Sequence, residues 1–415
     1  MSVSEYLPSD RQLRRTPYAD GRDWMPLWLT AVMLLCWGIL HLAAGTNFFG
    51  STAYNSYTLQ ALAWRGGHVT LPPESLDLSL ELAIYHNQVF VSFPPLPSVV
   101  LFPLTFLFGS NTPDHLLIKL YALSACLMAY QALKNAGYER RISALLSFCL
   151  CFASSMLPLT MDGAVWYHAQ VLAFFLTCAA IFLMTRDHMS GALLCCALSV
   201  ASRPFNALYA IPLLGCYFSI SHRDGISFRD SLRSLWPGIG LGFAVAAALG
   251  AYNYVRFGNP FEFGHNYLPE FSTQGGVQFS LSHLPNNVRS FILRLPMNRN
   301  ENGQLCFQKF GFCLFLANPM IALTLIAFIA DCVRKRMTIE KALTVFTMLL
   351  HLFLLLLHRT GGGFQLGARY AVDVIPECLL YLLLSKPREK WNVAEVLLCA
   401  PVFLFMCVGY TQVHI

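Results

Sequence analysis

The stretch Met25-Pro26-Leu27-Trp28-Leu29-Thr30-Ala31-Val32-Met33-Leu34-Leu35-Cys36-Trp37-Gly38-Ile39-Leu40-His41-Leu42-Ala43-Ala44 contains no Asp, Glu, Lys or Arg. About 20 apolar residues, rising about 1.5 Å each, match the ~30 Å hydrocarbon core of a bilayer. It reads as a first membrane span. The residues before it are polar and carry Arg11, Arg14, Arg15 and Arg22. No small-residue cleavage site follows it, so it is expected to be retained and not removed as a signal peptide. The same character runs through the chain: of 415 residues, 56% are hydrophobic and only 12% charged. An ordinary soluble protein is about 25% charged. With a mean hydropathy of +0.51, a soluble globular enzyme and a disordered chain are both disfavoured.

Working outward, apolar runs recur at about 94–109, 115–134, 142–160, 164–184, 190–202, 205–221, 235–254, 311–333, 341–358, 368–385 and 391–412. With the first span that makes twelve. The positive-inside rule then sets a parity problem. The Arg-rich N-terminus (1–25) and the basic stretch Lys134…Arg140-Arg141 should both be cytoplasmic. An odd number of crossings must therefore separate residue 47 from residue 134, yet two runs lie there. The run Phe93-Pro94-Pro95-Leu96-Pro97…Pro103…Gly109 is short and proline-rich. Proline removes backbone donors that lipid cannot replace. We therefore expect 94–109 to lie at the outer interface.

The expected fold class is an all-α membrane protein with about eleven transmembrane helices and an interfacial helix in the first outer loop. It forms a single polytopic membrane domain over 26–412. Eighteen of the 28 Lys and Arg residues then fall on the cytoplasmic side. Outer loops lie at 47–113 and 255–310, with shorter outer segments at 160–167 and 358–368. The formal charge of +6 is spread over short loops, which disfavours a nucleic-acid partner. No GxxxxGK[ST] phosphate loop is present, which argues against ATP-driven transport by this chain alone. The 14 cysteines include no CxxC pair, so neither structural zinc nor a disulfide framework is implied.

Candidate chemistry gathers at the outer side. Glu81, in Leu80-Glu81-Leu82-Ala83-Ile84-Tyr85, lies in an amphipathic stretch before the interfacial run. A carboxylate at an apolar interface has its pKa raised and suits a general base. Asp162 and His168 flank Trp166-Tyr167 at the outer end of a span. Ionisable residues at membrane depth are functional candidates. Arg203, in Ser202-Arg203-Pro204, interrupts an apolar run and needs an anionic or carbonyl partner. Arg369, in Gly367-Ala368-Arg369-Tyr370, is similar. An ion pair with Asp373, one turn on, is the structural alternative for Arg369, and snorkelling is the alternative for Arg203. The second outer loop adds Arg256 and Glu262 among interleaved aromatics, a combination suited to phosphate and sugar.

The order of motifs carries a resemblance. After the first span come Ala83-Ile84-Tyr85-His86-Asn87 and Phe93-Pro94-Pro95-Leu96-Pro97. Then follow Trp166-Tyr167-His168-Ala169-Gln170, Ser202-Arg203-Pro204, Tyr252 to Gly264, and Gly367-Ala368-Arg369-Tyr370. Over about 26–385 this resembles the bacterial membrane glycosyltransferases of the C-type superfamily, akin to protein mannosyltransferases and the lipid A aminoarabinose transferase. The resemblance implies transfer, with inversion, of a sugar from a polyprenyl-phosphate-linked donor. The implied acceptor is an extracytoplasmic glycan, lipid or protein, with an outer-loop carboxylate as base. It implies a multi-pass protein of the bacterial cytoplasmic membrane with its N-terminus inside. Such enzymes commonly carry an acid soon after the first span, where this chain has Ser51-Thr52-Ala53-Tyr54. Several carry a Lys where Phe93 stands. Either Glu81 or another loop acid takes the base role, or the activity has diverged.

On this reading Glu81 and Asp162 are the catalytic candidates. Tyr85, His86, Tyr167, His168, Arg203, Arg256, Glu262, Arg369 and Tyr370 are the substrate-binding candidates. No metal ligand is assigned, although some members of the superfamily use a divalent ion. Two other readings stand beside it. One is a polysaccharide polymerase or ligase using lipid-diphosphate donors. The other is a non-enzymatic transporter or flippase of lipid-linked sugars.

Overall fold

The structure, a computed structural model, is described for residues 22–78, 81–272 and 277–414. Arg11, Arg14 and Arg15 lie outside the described residues. The chain is mostly helical. In order it forms α1 (Met25–Ala44), α2 (Ser56–Arg65), the strands β1 (Leu82–Tyr85) and β2 (Gln88–Val91), α3 (Leu96–Phe108), α4 (Asp114–Asn135) and α5 (Arg140–Phe152). There follow α6 (Val165–Met184), α7 (Met189–Val200), α8 (Ala210–Arg223), α9 (Phe228–Phe257), and strands β3 (Met297–Arg299) and β4 (Leu305–Phe307). The last helices are α10 (Pro319–Val333), α11 (Ile339–Leu356), α12 (Ile375–Leu383) and α13 (Val393–His414).

Six helices among the described residues, α1, α4, α6, α9, α11 and α13, are long and apolar enough to cross a membrane. The chain is a multi-pass membrane protein. The other apolar runs are broken locally. The run 142–160 stops at Phe152 and resumes at Met156–Leu159. The runs 205–221 and 368–385 open as 3-10 turns, Pro204–Tyr209 and Arg369–Val374. Asn318-Pro319 divides 311–333. A run judged by composition alone overstates the α-helical length, because Pro and 3-10 turns are apolar without being α-helical.

Side-chain caps set several helix starts. Glu139 accepts from the amides of Arg141 and Ile142 at 2.7 and 3.1 Å, and Ser227 accepts from Asp230 N at 3.2 Å. Each cap satisfies donors that the first turn leaves unpaired. One buried cluster draws on α1, α4, α5, α6, α12 and α13. Helices in lipid gain little from the hydrophobic effect against one another, so close approach of small residues matters more. The neighbours α4 and α6 both carry buried alanines: Ala122, Ala125 and Ala129 on one, Ala173 and Ala180 on the other.

Contacts sort the connecting segments into two groups. At one end, Asp23 bonds Lys134 and Tyr130, and Tyr138 Oη donates to Leu382 O at 2.7 Å. At the other end, Val165 N donates to Tyr54 O at 3.0 Å, and Thr58 bonds Thr112 at 2.6 Å. Leu96 N donates to Ala201 O at 3.2 Å, and Arg359 N to Gln278 O at 2.8 Å. The second group contains the segments on either side of α3. This proline-rich helix of 13 residues therefore starts and finishes at one end of the bundle, packed against α2.

The stretch around Glu81 is not an amphipathic helix. β1 and β2 form an antiparallel hairpin pairing Tyr85 with Gln88. His86 and Asn87 sit at φ 48 and 61, as a tight right-twisted hairpin turn requires.

Candidate functional site

At the end of the bundle that gathers the long loops, a cavity of about 330 Å³ opens between α6, the Arg203 turn, the Arg369 turn and the loop after α9. Its charged side chains are Arg203, Arg369, Asp373 and Glu262. The Arg203 turn forms because Pro204 closes α7 and starts a 3-10 turn with Arg203 extended at φ −138. The Arg369 turn is set by Gln365. Its Oε1 accepts from Arg369 N at 2.7 Å, and its Nε2 donates to Gly361 O at 2.6 Å.

Asp373 does not pair with the arginine on its own turn. Its Oδ2 accepts from Arg203 Nε at 3.0 Å and Nη2 at 2.6 Å. Gln170 on α6 braces the arrangement, with Nε2 donating to Arg369 O at 3.1 Å and to Asp373 Oδ1 at 3.3 Å. The Arg369 side chain is buried, and its Nε has no hydrogen-bond partner. Its neighbours are π faces: Trp166, Tyr167 and Tyr370, with ring centroids 6.0, 5.8 and 5.1 Å from the guanidinium carbon. The Arg203 guanidinium lies 5.4 Å from the Tyr370 ring, so Tyr370 touches both cations. Two guanidiniums thus flank Tyr370, and the one paired carboxylate, Asp373, belongs to Arg203 alone.

Glu262 also lines the cavity, but its own loop holds it. Oε1 accepts from Gly264 N at 2.7 Å and Oε2 from Asn266 Nδ2 at 3.0 Å. His265 and His358 face each other with centroids 5.4 Å apart. Burial, with the charges of His358 and Arg359, pushes His265 down to about 3. Burial, only partly opposed by a bond to the Thr360 backbone, pushes His358 down to about 4. Both are neutral at physiological pH. The lining therefore offers two guanidiniums and two carboxylates beside neutral polar groups; Asp373 is taken by Arg203 and Glu262 by its own loop, so Arg369 is the cation without a carboxylate partner and the one placed to take a singly charged phosphate.

Glu81 stands behind one wall. Its Oε1 accepts from Trp166 Nε1 at 2.9 Å, and Trp166 lines the cavity. Its backbone is held in the left-handed region at φ 65, with its carbonyl accepting from Ser92 Oγ at 2.8 Å. Oε2 is buried without a partner. Burial raises the carboxyl above its ordinary range, although the Trp166 bond and the Arg369 charge pull it back.

Of the candidates read from the sequence, Arg203, Glu262, Arg369 and Tyr370 line the cavity together. Asp162 and Tyr167 line a neighbouring pocket of about 20 Å³. There Asp162 sits 3.3 Å from His115. Burial raises its pKa, but the His115 bond, Thr52 and the Ala164 amide outweigh that and hold it low. Tyr85 stacks on His86 at 4.1 Å and meets Phe257 and Tyr267, so both belong to the hairpin. His168 is in the core, edge-on to Tyr57 and Tyr121. Arg256 is buried and clamps the hairpin to α9, donating to Val91 O at 2.7 Å and to Asn253 Oδ1 at 2.7 Å. Gln170, Asp373, His265 and His358 are site residues that sequence reasoning did not select. Gln170 was within reach, as a polar residue in the same motif as Trp166.

Among the described residues no three His, Cys, Asp or Glu side chains gather as metal ligands. Asp373 and Glu262 are already committed to Arg203 and to their own loop. The cavity's donor set does not fit a divalent ion, and no step is routed through one.

An apolar groove of about 630 Å³ runs between α7 and α9, past Ala197, Val200, Gly242, Ala246 and Gly250. Phe261 and Phe263 line both the groove and the cavity.

No family model and no curated protein matches the sequence. Among solved structures the chain is similar to ArnT from Cupriavidus metallidurans bound to undecaprenyl phosphate. The identity is 14% and the TM-score 0.49, with 86% of this chain and 59% of that one covered. It is also similar to the Archaeoglobus fulgidus oligosaccharyltransferase. The form tethered to an acceptor peptide with an NVT sequon gives 12% identity and a TM-score of 0.49, and the apo form 12% and 0.45. Each covers 93% of this chain and 55% of that one. The chain thus spans little more than half the length of these proteins. Neither assigns a role to any residue here.

Proposed function

We propose that the chain transfers a sugar from a polyprenyl-phosphate-linked donor to an extracytoplasmic acceptor, within an eleven-span bundle whose N-terminus is cytoplasmic. The observation that carries this reading is the pairing of Arg203 and Arg369 around Tyr370, with Asp373 neutralising only one of them. One uncompensated guanidinium matches the single charge of a phosphodiester better than the charge of a lipid diphosphate. The groove between α7 and α9 meets the cavity at Phe261 and Phe263 and suits the prenyl chain.

In this mechanism the acceptor oxygen forms its bond to the anomeric carbon as the bond from that carbon to the lipid phosphate breaks. Negative charge grows on the departing phosphate, where Arg369 and Arg203 are already aimed. Preorganised donors of this kind stabilise the transition state. Glu81 is the base in this reading: it does not line the cavity, so the acceptor hydroxyl would reach it from the hairpin side of Trp166, whose Nε1 orients the carboxylate. Gln278, Asn266, His265 and His358 face the sugar hydroxyls.

The test uses the purified chain in lipid nanodiscs with a panel of polyprenyl-phosphate sugars and envelope acceptors. Transfer from monophosphate donors, lost in Arg369→Gln, is the expected result. Transfer only from diphosphate donors would favour the polymerase or ligase. Scrambling of the lipid-linked sugar without covalent transfer would favour the transporter. Neither transfer nor binding of polyprenyl phosphate would end the proposal.

A further inference from the structure

A second basic surface lies away from the cavity. The segment 277–310 carries Arg289, Arg294, Arg299 and Lys309 against one acid, Glu301. None of the four is in an ion pair among the described residues. Arg294 donates to Phe310 O and to Ser290 Oγ, both at 3.0 Å. Arg299 donates to Gly303 O at 2.7 Å. The Arg289 side chain has no hydrogen-bond or ion-pair partner among the described residues.

The helical turns Leu284–Val288 and Arg289–Leu293 have two faces. Asn287 and Phe291, one turn apart, point inward. Asn287 Nδ2 donates to Leu356 O at 2.8 Å and His358 O at 2.7 Å, and Phe291 packs on Gly361. Asn286, Arg289, Ser290 and Leu293 share the opposite face. With Arg294 they line an open crevice of about 560 Å³ that shares no residue with the Arg203–Arg369 cavity. Around it Leu281, Leu293, Leu295, Leu305 and Phe310 are each 60–68% exposed. A soluble surface rarely gathers so much exposed apolar area. Unpaired guanidiniums within a rim of Leu and Phe have the composition of an element lying in the headgroup region.

We propose that this face docks on the bilayer that the bundle spans, with Arg289 and Arg294 binding the phosphate of an acidic phospholipid. Leu281, Leu293, Leu295 and Phe310 enter the acyl boundary. The docked segment holds Asn287 and Phe291 against the end of α11, next to His358, and so supports the cavity wall from outside. This surface is independent of whether the cavity transfers sugar.

Hydrogen exchange of residues 284–295, in the full chain, tests it. Nanodiscs of phosphatidylcholine are compared with discs that also contain phosphatidylglycerol. The acidic lipid should slow exchange, and high salt should abolish the slowing. Arg289→Gln is the clean variant, since the Arg289 side chain bonds no protein group among the described residues. It should reduce the protection about fivefold, the worth of one basic residue near an anionic surface. Equal exchange in the two discs would overturn the proposal, as would protection that survives high salt in the unmodified chain. The salt arm decides the matter even where Arg289→Gln loosens the segment in both discs. Protection by polyprenyl phosphate added to phosphatidylcholine discs, with none from phosphatidylglycerol, would also overturn it. That result would make the crevice a substrate phosphate subsite.

Discussion

Asp373 is the ion-pair partner of Arg203, at 3.0 and 2.6 Å, and leaves Arg369, four positions before it, without a carboxylate. The pair joins two turns that flank the cavity, so one contact both holds the walls together and sets the charge between them. Removing Asp373 strands a partly buried guanidinium. Breaking a fully buried pair costs about 3–5 kcal/mol and this one, with Arg203 partly exposed, less, whereas replacing both partners by apolar residues costs little. Asp373→Ala should therefore lower thermal stability in detergent sharply. The double variant Arg203→Met, Asp373→Leu should recover most of it. Where Asp373→Ala folds, the freed Arg203 charge should hold or strengthen polyprenyl phosphate binding, whereas the double variant, which lacks Arg203, should bind more weakly, as a lipid-binding titration will show.

Arg369 is the cation left for a ligand. A charge-assisted hydrogen bond contributes about 1.5–3 kcal/mol, so Arg369→Gln should weaken polyprenyl phosphate binding roughly 10- to 100-fold. Stability should change little, since the side chain bonds no protein carboxylate. Arg369→Lys should fail to restore binding, because an ammonium lacks the planar fork and stacks less well on Tyr370.

Gly362 allows Arg369 to sit where it does. Its φ is +99, and a Cβ there would lie 2.8 Å from Arg369 Nε and 2.9 Å from Gln365 Nε2. Gly362→Ala should displace the guanidinium and impose a left-handed backbone cost of about 1–2 kcal/mol. Loss of lipid-phosphate binding with a modest fall in melting temperature is expected. Unchanged binding would show that Arg369 is not held from this side.

The pH dependence on the acid side follows from two shifts in the same direction. His265 is depressed from 6.5 to about 3 and His358 from 6.5 to about 4. As pH falls below about 6.5, the unfolded chain takes up protons that the folded chain refuses, so stability is lost progressively towards pH 3–4. Melting temperature against pH should show this slope, and it should flatten in His265→Gln, His358→Gln.

Glu81 is raised by burial. Its contribution to stability is full below the unfolded pKa and is lost as pH rises through the higher folded one. Glu81→Gln should therefore stabilise the chain slightly at neutral pH while abolishing transfer. An active Glu81→Gln enzyme with an unchanged pH–rate profile would remove Glu81 as the base.

Much of the layout was legible in the sequence. The apolar runs correspond to helices, several of them broken or opening as 3-10 turns, and the run that the parity argument set apart, 94–109, forms a helix of 13 residues. The prolines around Phe93 were the readable signal. What was not legible depends on short or distant relations. The β1–β2 hairpin has strands of four residues, too short for alternation to stand out from its apolar surroundings. That concealed the position of Glu81, which sits at positive φ in the bend that leads into β1. Tyr85, His86, Arg256 and His168 have the residue types of a site but serve the hairpin, its clamp and the core.

Composition by itself determined that this chain lives in a membrane, and charge order set the expectation of which segments share a side. Those properties are local, since each span's apolar length and each loop's basic count can be read without knowing a neighbour. Only the tertiary structure decided which ions meet. Arg203 and Asp373 are 170 positions apart, and no local rule prefers that pairing to Arg369 with Asp373, one turn apart. Helix packing made the choice by bringing the Arg203 turn onto Asp373 and surrounding Arg369 with aromatic faces. That left one guanidinium unpaired in the cavity.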